Sequence, residues 1–138
     1  MNATLISDTT THGIRVGAAA FYLPEPSAPD ENKYVFGYRV VILNAGDQTV
    51  QLLRRHWDII DGDGEVKTVD GQGVVGEQPE LEPGEAFKYE SFAVLPTPWG
   101  TMEGYYEMED EAGETLRVAI GRFYLTEDST ASGRGDTT

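Results

Sequence analysis

The chain has 138 residues, a length suited to a single domain, and its formal net charge is −14 at pH 7. It contains no cysteine, which excludes disulfides, thiolate metal sites and a cysteine nucleophile. The excess of acids repels phosphate backbones, so we expect no nucleic-acid partner. No apolar run approaches the ~20 residues that span a membrane, and the N-terminus lacks the basic and apolar regions of a signal peptide. We therefore expect a soluble, cytoplasmic protein without a membrane partner.

The acidic residues are distributed unevenly. Residues 1–69 carry nine acidic and six basic side chains, whereas residues 70–138 carry fifteen acidic and four basic ones. We interpret this charge as a surface that keeps the protein soluble. An acidic face for a basic protein or a cation is the alternative.

Short runs of alternating apolar and polar residues recur along the chain, interrupted by turn residues every eight to twelve positions. Seven runs are predicted to be strands: 12–22, 33–43, 49–60, 65–69, 86–92, 101–108 and 114–125. No long helical pattern is present. Seven to eight short strands without a helix predict an all-β fold, an antiparallel β-sandwich, with Phe36 and Trp57 at its centre.

The sandwich is predicted to occupy residues 11–126. Residues 1–10 are assigned to a disordered N-terminal end, and residues 127–138 to a disordered tail. The tail consists almost entirely of polar and small residues, so it has little apolar surface to bury.

Gly71, Gly73 and Gly76 fit the pattern G-x-G-x-x-G. A dinucleotide site would need a helix directly after this pattern, but the following residues contain two prolines and cannot form one of useful length. Two alternatives remain: glycines that let a loop turn tightly, or a nest of backbone N–H groups that holds an anion. We favour the first, because neighbouring acids such as Asp70 and Glu77 oppose an anion.

Asp61, Asp63 and Glu65 have the spacing of the first ligands of a calcium loop. That loop requires Gly at its sixth position and Glu at its twelfth, where this chain has Val66 and Gln72. A hairpin turn explains these residues better. No metal site is predicted, and weak binding of a divalent cation by the acidic loops is left open.

Arg54 and Arg55 are the cations best suited to a small anion or an acidic partner. His56 follows them in the same predicted strand, but no Ser-His-Asp or paired-carboxylate arrangement accompanies it. We therefore expect a structural histidine, no catalytic residue and no cofactor.

Five motifs resemble those of a known family in the order YVFGY (34–38), QLLRRHW (51–57), GQGVVGEQP (71–79), LEPGE (81–85) and TPWGTM (97–102). Over about residues 10–126 the chain resembles the ApaG family, with a more apolar stretch at residues 91–96 as one departure. The resemblance implies an immunoglobulin-like or fibronectin type III-like sandwich. It also implies a bacterial protein linked by name to cobalt and magnesium resistance or efflux. Related domains in F-box proteins and in a polymerase-delta-interacting protein look like interaction modules.

Together these features predict a binding module without enzymatic activity that has a protein partner. Trp99 and Tyr105 are candidate anchors, because rigid aromatic side chains dominate interface energies; packing at the rim of the core is their alternative role. Homodimerisation through an edge strand is a further hypothesis. The alternative function is binding of phosphate, pyrophosphate or a nucleotide by the glycine-rich loop and the two arginines.

Overall fold

Residues 6–128 are the part of the chain that the computed structural model describes. They form nine strands: β1 (Ile6–Thr11), β2 (Ile14–Tyr22), β3 (Tyr34–Asn44), β4 (Val50–Asp61), β5 (Val66–Gln72), β6 (Glu80–Leu81), β7 (Ala86–Leu95), β8 (Trp99–Glu109) and β9 (Thr115–Thr126). Within residues 6–128 the one helical element is a 3₁₀ turn at Pro29–Glu31. No helix in this range is long and apolar enough to cross a bilayer.

The strands form two antiparallel sheets, so the predicted all-β sandwich is confirmed. One sheet has the order β1-β2-β3-β7, and the other has the order β5-β4-β8-β9 with β6 also paired to β4. β1 and β2 contact β9 across the two sheets. β5 and β7 are the edge strands on the other side of the sandwich.

The core is built from the inward rows of both sheets, as the alternation predicted. Phe36 and Trp57 are both buried. The Trp57 ring contacts Tyr38 and Phe123 at centroid distances of 5.4 and 5.9 Å, both in edge-on geometry. Such edge-to-face contacts are favourable for aromatic pairs, and they join side chains of both sheets.

All of β1 except Thr11 lies within residues 1–10, which the sequence analysis had assigned to a disordered end. Ile6–Thr11 pair with β2 through a tight turn in which His12 and Gly13 have φ of 53° and 79°. This strand was missed because its serine, aspartate and threonines show no apolar alternation. Residues 1–5 and 129–138 of the two predicted disordered ends lie outside the described residues.

Asn44, at the end of β3, links the two sheets through a buried side chain. Its amide group donates to the carbonyl oxygens of Gln48 and Leu81 at 2.8 and 2.9 Å. Its Oδ1 accepts the backbone N–H of Gly46 at 3.0 Å. Since Leu81 belongs to β6, these hydrogen bonds connect the four-stranded sheet to the five-stranded one.

Candidate interaction surface

The glycine-rich segment forms a tight turn beyond the edge strand β5. Val74 and Glu77 exchange both backbone hydrogen bonds, with N–O distances of 2.8 and 2.9 Å. Between them, Val75 and Gly76 have φ of 43° and 82°. Positive φ at both central residues is typical of a type I′ turn, and it is unusual for a β-branched residue such as valine.

This geometry bears directly on the anion-nest hypothesis. No helix follows Gly76. The amide of Gly73 donates to the carbonyl oxygen of Leu53 at 2.8 Å, and the amides of Val74 and Glu77 bond each other's carbonyls. A nest needs unpaired N–H groups that converge on one point, so these three amides give the hypothesis no support.

Arg55 is held by the same segment. Its Nη1 donates to the carbonyl oxygens of Gln72 and Gly73 at 3.0 and 2.9 Å. A Cβ added to Gly71 would lie 2.8 Å from three atoms of the guanidinium group. Gly71 therefore makes room for Arg55, and the predicted anion-binding cation is already bound to carbonyl oxygens of its own chain.

Tyr105 lies among cross-strand contacts on the outer face of the five-stranded sheet. Its ring stacks on His56 from β4, with centroids 4.6 Å apart, and the Arg117 guanidinium from β9 lies 4.0 Å from its centroid. Arg54, the other predicted anion-binding cation, lies 3.9 Å from Glu107, which also faces Arg117 at 3.8 Å. The predicted anchor Tyr105 is thus engaged by both neighbouring strands.

His56 lies between two carboxylates. Its Nδ1 is 2.7 Å from Oδ1 of Asp70, and its Nε2 is 3.2 Å from Oδ1 of Asp58. The hydrogen bond to Asp70 is the main reason that the pKa of His56 is raised above its ordinary value. Both ring nitrogens are therefore engaged by carboxylates of the same sheet. Among residues 6–128, no group of three or more His, Cys, Asp and Glu side chains could hold a metal ion.

Trp99, the other predicted anchor, is 48% exposed and is held in a defined position. A Cβ added to Gly62 would lie 2.7 Å from the indole Nε1, so the ring packs directly on the turn between β4 and β5. The Thr97 hydroxyl accepts the Gly62 N–H at 2.8 Å and donates to the carbonyl oxygen of Trp99 at 2.7 Å. These contacts fix the loop that carries the indole.

A cavity of about 230 Å³ opens beside this ring. Its lining consists of Ile60, Asp61, Trp99, Thr101, Arg122 and Tyr124. We call these six residues the Trp99 surface. The Thr101 side chain is buried, and its Oγ1 has no hydrogen-bond partner among the described residues. Arg122 is paired with Glu103 through a 2.6 Å hydrogen bond. The surface therefore combines an aromatic wall with an unsatisfied hydroxyl.

A buried tyrosine pair was missed by the sequence analysis. The hydroxyls of Tyr89 and Tyr106 lie 2.5 Å apart in the core, and burial raises the pKa of both. Tyr89 and Tyr106 both lie in predicted strands, but their pairing joins β7 and β8, which belong to different sheets. Both hydroxyls are inaccessible to a substrate.

Comparison with known proteins agrees with this architecture. The family model described as the ApaG domain matches residues 24–110. The chain is 54% identical over 116 residues to Protein ApaG of Paramagnetospirillum magneticum, covering 84% of this chain and 89% of that protein. It is 50% identical over 115 residues to Protein ApaG of Mesorhizobium japonicum, covering 83% and 88%.

A solved structure of the putative ApaA protein from Bordetella pertussis superposes with a TM-score of 0.79 at 44% sequence identity. The match covers 86% of this chain and 94% of that one. High identity, near-complete coverage and the same sandwich lead to one conclusion. The chain belongs to the ApaG family.

Proposed function

We propose that this chain is a non-enzymatic interaction module that binds a protein partner through the Trp99 surface. The observation that carries the proposal is that Trp99 is half exposed and yet fixed by Gly62 and Thr97. A preorganised aromatic side chain loses little conformational entropy on binding, which is why such residues act as anchors.

The groups that carry chemistry in other proteins support this proposal by being engaged within the fold. Both His56 nitrogens contact carboxylates, and the Tyr89 and Tyr106 hydroxyls contact each other inside the core. The names of these relatives state no enzymatic activity. A partner from a cobalt or magnesium transport system would account for the association that the family resemblance implied.

Affinity capture from a lysate of the source cell tests this proposal with three forms of the protein: wild type, Trp99→Ala and Phe92→Ala. Phe92 is the matched control, because it is an exposed aromatic residue on the other sheet. We expect a protein that wild type and Phe92→Ala retain equally. With Trp99→Ala its recovery should fall about 30-fold, the loss typical of a central aromatic anchor.

Equal recovery with Trp99→Ala would contradict the proposal. Calorimetric titration of the wild type with pyrophosphate, a nucleotide, Co²⁺ and Mg²⁺ examines the small-ligand alternative. Saturable heat with pyrophosphate that is lost in Arg55→Gln would favour anion binding instead.

A further inference from the structure

Five acidic residues lie on the two segments that flank Trp99, and one of them, Asp61, also lines the cavity. They are Asp61, Asp63, Glu65, Glu127 and Asp128. The first three lie on the turn between β4 and β5, against which the indole packs. Glu127 follows β9, and its N–H donates to the carbonyl oxygen of Pro98 at 3.2 Å. None of the five forms an ion pair within residues 6–128.

Two cations lie near these acids, and neither neutralises them. Arg122 lines the cavity, but its guanidinium forms an ion pair with Glu103. Lys67 follows Val66 in β5, so strand alternation directs it to the opposite face of the sheet from Val66, Ile60 and Trp99. Acidic side chains therefore outnumber basic ones on the segments around the exposed indole.

Two aromatic residues on the outer faces provide a second observation. The guanidinium of Arg39 lies 4.8 Å from the ring centroid of Phe21, and that of Arg117 lies 4.0 Å from the ring centroid of Tyr105. Trp99 has no such cation within residues 6–128. Indole is the ring that attracts a cation most strongly, and acids around it add to that attraction.

A buried hydroxyl beside the cavity provides a third observation. Thr101 is 6% exposed, and its Oγ1 is the unsatisfied hydroxyl described above. A buried hydroxyl without a partner is unfavourable, and a donor group that reached it when the partner docks would satisfy it. A guanidinium group offers several N–H donors on a planar group that also stacks on aromatic rings, whereas an ammonium is compact and strongly hydrated.

We propose that the Trp99 surface binds an arginine side chain of the partner protein. This inference rests on the proposed function and names the chemistry of its ligand. The guanidinium stacks on Trp99, donates to Oγ1 of Thr101 and is attracted by Asp61, Asp63 and Glu65. The acidic character of the loops thereby selects a basic segment.

Peptides of alternating glycine and arginine (GRGRGRG) test the inference beside otherwise identical lysine and glutamine peptides. Trp57 is buried, so a change in tryptophan emission reports on Trp99. We expect a saturable emission change with the arginine peptide, about two- to fivefold weaker binding of the lysine peptide, and none of the glutamine peptide. Trp99→Leu should abolish binding measured by calorimetry, whereas Trp99→Phe should retain part of it.

The charge contribution has a matched control at the other end of the sheet. Asp61→Asn, Asp63→Asn and Glu65→Gln together should weaken arginine-peptide binding at least about tenfold and flatten its salt dependence. Asp110→Asn, Glu111→Gln and Glu114→Gln remove the same charge from the turn between β8 and β9 and should leave binding within about twofold. Thermal unfolding confirms that each variant is folded.

Equal binding of the arginine and glutamine peptides, or equal effects of the two triple variants, would overturn the inference. A Trp99-dependent partner together with no arginine-peptide binding would overturn this inference alone and leave the proposed function standing. Partner capture that does not depend on Trp99 would overturn the proposed function itself.

Discussion

Two turns of the five-stranded sheet share one local structure and differ in what lies against them. The turn from Asp61 to Glu65 and the turn from Asp110 to Glu114 both follow the pattern D-x-x-G-E. In each, the first aspartate Oδ1 accepts two backbone N–H groups at 2.9–3.0 Å, and the glycine has φ near +80°. Each also closes with a backbone hydrogen bond from the first aspartate to the final glutamate.

The two turns differ at their second residue. In the first turn it is Gly62, which leaves space for the indole of Trp99. In the second it is Glu111, whose Oε2 accepts the backbone N–H of Thr49 at 2.7 Å. The same hairpin thus supports an exposed aromatic ring at one end of the sheet and secures a strand connection at the other. The two turns have the same local hydrogen bonds, and the residues that contact each turn determine its structural role.

The largest expected effect comes from the position where the turns differ. Gly62→Ala should lower the free energy of unfolding by about 1–3 kcal/mol, because the new Cβ overlaps the indole and must displace it. Glu111→Ala is the matched change and should cost about 1 kcal/mol or less, from one exposed hydrogen bond. Urea unfolding gives both values, and tryptophan emission should change only in Gly62→Ala. Equal costs with unchanged emission would remove the distinction between the turns.

A smaller effect examines what the turns share. Gly64 and Gly113 have φ of 83° and 80° with open space around them, so alanine meets backbone strain and no steric overlap. Gly64→Ala and Gly113→Ala should each cost about 1 kcal/mol. Chemical denaturation should give equal values within error. A marked inequality would show that the two turns are not equivalent locally.

The smallest effect concerns His56, in the middle of the sheet between the two turns. Because its pKa is raised in the folded protein, its stabilising contribution is present in full below about pH 6.5, the ordinary value of an unfolded histidine. That contribution is lost as the pH rises through the folded pKa. Asp70→Asn should therefore lower the His56 pKa in an NMR titration, and its stability deficit should shrink from pH 5.5 to pH 8.5.

Asp63→Asn is the control for this titration, because it removes an equal charge from an acid outside the ion pairs of residues 6–128. Its stability difference from wild type should not follow the His56 pKa. A deficit of Asp70→Asn that grows with pH would contradict the assigned role of the Asp70–His56 hydrogen bond.

The strands could be predicted from the sequence because a half-buried strand has a period of two, and this signal placed Phe36 and Trp57 in the core. β1 could not be predicted, because its polar residues hide the period. A hairpin turn was predicted at Asp61, Asp63 and Glu65, and the second turn lies between the predicted strands 101–108 and 114–125. The difference between the two turns could not be predicted, because Gly62 and Trp99 are 37 positions apart in the chain and come together only in the folded structure.

The site could be predicted only in part for the same reason. Trp99 lies just before the predicted strand 101–108 and Tyr105 lies within it, and no feature of the sequence ranks one anchor above the other. The strand register distinguishes the two candidate anchors. It places Tyr105 opposite His56, whereas Trp99 lies at the start of β8, opposite Thr126. The role of Gly71 in the glycine-rich motif could not be predicted either, because it depends on Arg55, 16 residues earlier in the chain. A side chain at position 71 would fill the space that the Arg55 guanidinium occupies.

Asn44 has a consequence for how the molecule can be followed in solution. Its amide group donates to Leu81 of β6 in the other sheet and to Gln48 in the connection between β3 and β4, so the full set of bonds exists only when both sheets have docked. The NMR signals of this one side chain should therefore exchange with solvent at the rate of global opening. They offer a single-residue reporter of the assembled sandwich, independent of any ligand and of both tryptophans.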